Sequence, residues 1–216
     1  MRMPRKWLVL LPALLILWIA RDLAIPTRCS LARFDGHEVG RLETAMWRSY
    51  YGHQRVLLFT QLVDLLRSQY HLPFWRASVA AWHAAHAALV FQRGHNRGEY
   101  QRALPDLRAY YAIIRRSSDT PFSVDQVAAL ELEWWIIHRE RAAHHPGDLE
   151  ASLAALQAAI FQRNESLFQP HARDRAAAMD LCDTAQAAGG GSEQDWGRIA
   201  RLLDSSWVSL QQTVAR

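Results

Sequence analysis

Two stretches of this chain place a glutamate in the middle of an apolar helical face. From Val124 to His145 the residues Val124, Val127, Glu131, Trp135, His138 and Ala142 fall on one line at about 100° per residue. Leu130, Leu132, Ile136 and Ile137 fill the flanks and leave Glu133 and Glu140 as the solvent strip. The pattern predicts a largely buried helix that runs to His145 and is closed by Pro146-Gly147. Glu131 and His138 then face inward, roughly 10 Å apart along the axis. A carboxylate in such a position either finds a partner or loses its charge.

The second stretch repeats the first. Phe34-Asp-Gly-His-Glu-Val39-Gly-Arg-Leu42-Glu43 recurs 88 residues on as Phe122-Ser-Val-Asp-Gln-Val127-Ala-Ala-Leu130-Glu131. Each is followed by three residues and a tryptophan, Trp47 and Trp135. Asp35 and Glu38 have the spacing of a capping box, and Phe34 and Val39 that of a hydrophobic staple. Tyr50 takes the place of His138. A recurrence of this kind resets the reading of the whole fold.

The remaining segments fit a duplication in outline. Arg55–Tyr70 and 148–162 are apolar helical stretches, and Pro73 and Pro170 each precede an alanine-rich helix, at about 74–93 and 171–188. Glycine-containing links follow both, at 94–98 and 189–191, and the last helix of each half sets Tyr100 and Tyr111 against Trp196 and Trp207. Pro105 starts or kinks a helix, and Ser192 reads as a helix cap. No strand pattern competes. The expected fold is therefore all-α, with an N-terminal membrane helix followed by about eight helices in two related four-helix halves. The domain boundaries are 1–33 for the anchor and linker, 34–119 for the first half and 120–216 for the second.

The N-terminal segment carries Arg2, Arg5 and Lys6 before a fourteen-residue apolar run, Trp7–Ala20. Continued through Leu23 and Ile25 the run approaches the ~20 residues that span a bilayer. No small-x-small cleavage site lies close behind it: Trp18 and Asp22 occupy the −3 positions for cuts after Ala20 and Ala24. The expectation is an uncleaved single-pass anchor, with a cleaved signal as the alternative. The N-terminus lies in the cytoplasm and the body outside it, periplasmic in a Gram-negative cell.

Charge then removes one class of partner. The formal net charge of +4 is concentrated in the first 33 residues, which hold six basic residues and one acid. The rest has 19 basic and 20 acidic residues, so the folded body lacks the basic face that nucleic-acid binding requires. Cys29 and Cys182 form neither a zinc pattern nor a disulfide framework. Gly189-Gly190-Gly191 has no preceding strand and no following lysine, so it is not a phosphate loop. No nucleophile elbow is present.

Chemistry is therefore sought at the inward glutamates. Glu43 and Glu131 face one another across the two halves in this reading. With His138 and the pair His83 and His86, spaced by three residues on one helix face, they form the candidate metal set for Zn or Fe. Dimetal carboxylate bundles carry a Glu-x-x-His on two helices, and this chain has none. The structural alternative leads: each glutamate accepts hydrogen bonds from buried Trp, Tyr, His or Arg donors and fixes how helices pair. No cofactor is expected on that reading, and whether the chain is an enzyme stays open. The leading function is a membrane-anchored, extracytoplasmic, non-catalytic binding module that works through protein or small-ligand contacts. A metal-binding protein or metal-dependent enzyme is the alternative.

Overall fold

The computed structural model describes residues 5–25 and 27–215. Arg2 and the side chains of Arg5 and Lys6, part of the N-terminal basic cluster, lie outside that description. The described residues are all-helical, apart from turns and one isolated parallel bridge between Cys29 and Ser118.

Helix α1 is Arg5–Ala24, α2 Gly36–Tyr51, α3 Arg55–Ser68, α4 Phe74–Arg93, α5 the single turn Arg97–Tyr100, and α6 Leu104–Ser117. They are followed by α7 Val124–Arg139, α8 Asp148–Phe161, α9 Gln169–Ala187 and α10 Glu193–Val214. Leaving out α1 and the short α5, eight helices of 14 to 22 residues form the body. Each packs on its neighbour in the order α2, α3, α4, α6, α7, α8, α9, α10, and α10 returns to pack on α2. The helices thus close a ring. Helices α7, α8, α9 and α10 follow one another round the ring as α2, α3, α4 and α6 do.

Local chemistry sets the helix starts. Asp35 caps α2 by accepting from the His37 amide at 3.0 Å. Glu38 does not complete the box: its carboxylate takes Arg41 one turn on, and the Asp35 amide donates to Gln69 instead. Ser192 and Asp195 do form a reciprocal capping box at α10. Ser123 caps α7, and Pro105 sits in the first turn of α6, where its missing N–H costs nothing.

Helix α7 ends at Arg139 and not at His145. Tertiary contacts override the periodicity there. The Arg139 guanidinium donates to the carbonyls of Phe91, Gln92 and Gly94 at the end of α4, and a short 3-10 turn then carries Arg141 to Asp180 on α9.

Two glycines set the closing contact of the ring. A Cβ on Gly40 would lie 2.8 Å from the Asp204 Cα, and one on Gly36 would lie 2.8 Å from the backbone at Trp207 and Val208. The backbones of α2 and α10 therefore touch, whereas the repeat places Val124 and Ala128 at the corresponding points of α7. Gly40→Ala is expected to lower stability by about 1–3 kcal/mol in chemical denaturation through overpacking. That outcome reverses the gain of about 1 kcal/mol that alanine brings to an open helix position.

Helix α1 is tied to this body at its C-terminal end. Asp22 is buried and accepts from the Trp75 amide at 2.9 Å, at the start of α4. Arg76, also buried, donates to the carbonyls of Asp22 and Ile25 and to the hydroxyl of Thr27, so it caps the end of α1. Trp18 stacks on Phe74 and meets Trp75 edge-on. Beyond this joint Leu10, Leu11, Leu14, Leu15, Ile16 and Leu17 are all exposed. Among the described residues no helix is long and apolar enough to cross a membrane. The spanning anchor expected from the sequence is thus not established by the fold.

Candidate functional site

The ring holds a partly open cavity of about 200 Å³, and all eight of its helices supply wall residues. Most of the wall is apolar, including Val39, Leu65, Leu107, Phe122, Ile160 and Leu210. The polar groups are Glu43 on α2, Glu131 on α7, Arg175 on α9, Gln157 on α8, and the three tyrosines Tyr70, Tyr110 and Tyr111. The two glutamates singled out by the repeat face the same space.

Their partners correspond across the ring. Glu43, only 5% exposed, accepts from the Trp207 indole on α10 and from Arg175 at 2.6 Å. Glu131 accepts from the Tyr111 hydroxyl on α6 at 2.8 Å and from the Trp135 indole at 3.0 Å. Each glutamate is therefore bonded by an aromatic donor on the last helix of the opposite half. Arg175 breaks the correspondence. Counted from Pro73 and Pro170, its place in the first half is held by Ser78, which bonds to its own helix at the Phe74 carbonyl.

One guanidinium thus sits among two carboxylates. It packs between the rings of Trp134 and Trp207, 5.4 and 5.5 Å from their centroids, a position in which the aromatic faces favour a cation. Burial pulls the Arg175 pKa down, but Glu43 and Glu131 outweigh that and hold it above its usual range. Arg175 Nε has no hydrogen-bond partner. Burial pushes the Tyr70 phenol up to about 12, against an opposing pull from Arg175. Burial likewise raises Tyr110 and Tyr111 well above the usual phenol range, and Glu131 adds to both. The phenols are therefore neutral donors or acceptors at any physiological pH.

The histidines of the candidate metal set are elsewhere. His83 and His86 project from α4 onto Asp106 in the first turn of α6, with Nδ1 of each 2.8 and 2.7 Å from its two carboxylate oxygens. Burial pushes the Asp106 carboxyl up, but the two imidazole hydrogen bonds outweigh it and hold the group below its usual range. His138 Nε2 lies 3.0 Å from Asp183 on α9 without the angle of a hydrogen bond. None of the three lines the cavity. Among the described residues no group of three His, Cys, Asp or Glu side chains converges as metal ligands.

Sequence reasoning missed Arg175 and Gln157. A signal for the first was available: Ala172, Arg175, Ala176 and Met179 share one face of α9, and the two alanines and the methionine are buried. Gln157, 5% exposed, falls between the buried Leu153, Leu156 and Ala154 and lines the cavity.

Fold and site together define a class: a closed helical ring with an apolar central cavity and one charged, aromatic-lined polar patch. No family model, curated protein or solved structure matches the chain.

Proposed function

We propose that this protein is a non-catalytic binding module, tethered to a membrane by α1, whose helical ring takes a small amphipathic molecule into its central cavity. The observation that carries the reading is the Arg175 Nε–H. A buried polar group is normally satisfied, yet this donor has no partner and belongs to a side chain that lines a cavity large enough for a guest. A cavity of on the order of 150 Å³ accommodates a benzene ring, so about 200 Å³ suits a molecule of roughly eight non-hydrogen atoms. Apolar walls supply the burial and the polar patch orients the guest. The matching neighbour order of the two halves, together with the repeated Leu-Glu helices, supports duplication of a four-helix unit as the origin of the ring.

Calorimetric titration with benzyl alcohol tests the binding reading. Binding of one molecule per chain is expected, and Ala84→Leu, which fills part of the cavity wall, weakens it at least tenfold. Absence of binding to the folded wild-type chain contradicts the reading.

The tether rests on the exposed leucines and isoleucine of α1 between Leu10 and Leu17, and the basic residues ahead of the apolar run support the reading of an extracytoplasmic body. Sedimentation of the full chain with membranes, and its loss when Leu14→Arg and Leu17→Arg are combined, is the expected result. Equal sedimentation of both forms would remove the tether.

A further inference from the structure

The charges around the cavity do not balance, and the imbalance selects the guest. Two carboxylates and one guanidinium face the space, and the guanidinium is committed to Glu43 through a 2.6 Å bond. Glu131 is left with two neutral donors, the Tyr111 hydroxyl and the Trp135 indole. Both donate to it, so it is held as an acceptor, one oxygen to each, and each carboxylate oxygen has a second lone pair to offer. Glu131 is half-buried and shares the single Arg175 with Glu43, so the group of three keeps one negative charge that an opposite charge placed against Glu131 would balance.

The surroundings of Glu131 fit an organic cation better than a metal ion. Hard or borderline metals need several converging oxygen, nitrogen or sulfur ligands, and such a group is absent among the described residues. What surrounds Glu131 is aromatic: Trp135, Tyr110, Tyr111 and Phe122 all line the same space. Ring faces attract a positive charge within about 6 Å, and the remaining wall is aliphatic. The Gln157 amide lines the same cavity, and its carbonyl oxygen can accept from a further N–H of the same head group.

We infer that the natural guest is a small organic amine, its ammonium group seated on Glu131 and its apolar body among the wall residues of the ring. This rests on the reading of the cavity as a binding site, and its test separates the two.

The full-length protein is titrated by calorimetry with benzylamine, benzyl alcohol and benzoate at pH 7, three probes of one size that differ in head-group charge. Benzylamine is expected to bind at least tenfold more tightly than benzyl alcohol, with benzoate the weakest. Glu131→Gln is expected to weaken benzylamine binding at least tenfold and to abolish the amine preference. Thermal unfolding confirms that the variant is folded, and Glu131→Asp, which retains the charge, is expected to retain part of the preference. If benzyl alcohol binds as well as benzylamine, or if benzoate binds best, the amine inference fails and the cavity reading stands. Should the preference survive in Glu131→Gln, the inference fails as well. If none of the three binds, the cavity reading falls and takes the inference with it.

Discussion

Arg175→Met lowers the unfolding free energy by about 3–5 kcal/mol, the usual cost of removing one partner from a buried charge pair. Methionine keeps most of the apolar contact with Trp134 and Trp207, so the loss reports chiefly on Glu43, which is left buried with the Trp207 indole as its single donor. Glu43→Gln added to the Arg175→Met background removes the stranded charge and is expected to recover at least half of the loss. Urea unfolding of the four forms in a double-mutant cycle measures the coupling. A loss under about 1 kcal/mol for Arg175→Met, or no coupling with Glu43, would show that the pair does not hold α2 against α9.

A second large effect is expected with pH. His171 on α9 is fully buried, meets the Trp207 ring edge-on, and has Nδ1 2.8 Å from the Ser206 hydroxyl. Its Nε2 has no partner. Burial, with the repulsion of Arg175 second, lowers its pKa from 6.5 to about 3. The unfolded chain therefore takes up a proton below about pH 6.5 that the native ring refuses until about pH 3. Stability from this residue is complete above pH 6.5 and is lost as pH falls through that window. The full loss is of order 4–5 kcal/mol at about 1.4 kcal/mol per pKa unit. Urea midpoints at pH 7.5, 6, 5 and 4 should fall steeply for the wild type and less for His171→Phe, which does not titrate. Since the carboxylates are common to both proteins, the difference isolates the imidazole. Parallel pH profiles would contradict the assignment.

The two effects meet at Trp207. Its indole N–H bonds Glu43 while its ring touches His171 and lies under the Arg175 guanidinium. Protonation of His171 would place a second cation beside Arg175, against the same indole. Acid is therefore expected to loosen the α9–α10 wall of the cavity before it unfolds the chain.

How much of this was legible in the sequence follows from what each signal measures. Glu43 and Glu131 could be read as inward because apolar neighbours at helical spacing fix which face is buried, and that pattern is local. Their donors are not local. Arg175 and Trp207 lie 132 and 164 residues from Glu43, and nothing in the α2 segment specifies them. Arg175 also sits in an alanine-rich helix crowded with charge, Gln-Pro-His-Ala-Arg-Asp-Arg, where an arginine reads as solvated. The two histidines of α4 both reach Asp106, which belongs to a helix whose packing on α4 no periodicity reveals. The end of α7 was misplaced for a related reason: Arg139 finds three carbonyls on α4, and that contact outweighs the continuing helical pattern.

Closure of the ring also lay outside the reach of pattern. The repeated Leu-Glu helices suggested two halves, but only the contact of α10 with α2 joins them into a cycle and turns two inward faces into one cavity. The glycines that permit this contact, Gly36 and Gly40, lie within the repeated segment, whose second copy carries Val124 and Ala128 in their places.

A crystal structure of the protein grown with benzylamine tests the central claim most directly. Glu43 and Glu131 should face one cavity from opposite sides of the ring, with the benzylamine nitrogen about 2.7–2.9 Å from a Glu131 oxygen, the range of a charge-assisted hydrogen bond. Two carboxylates hydrated on the outer surface, with no space between them, would contradict it.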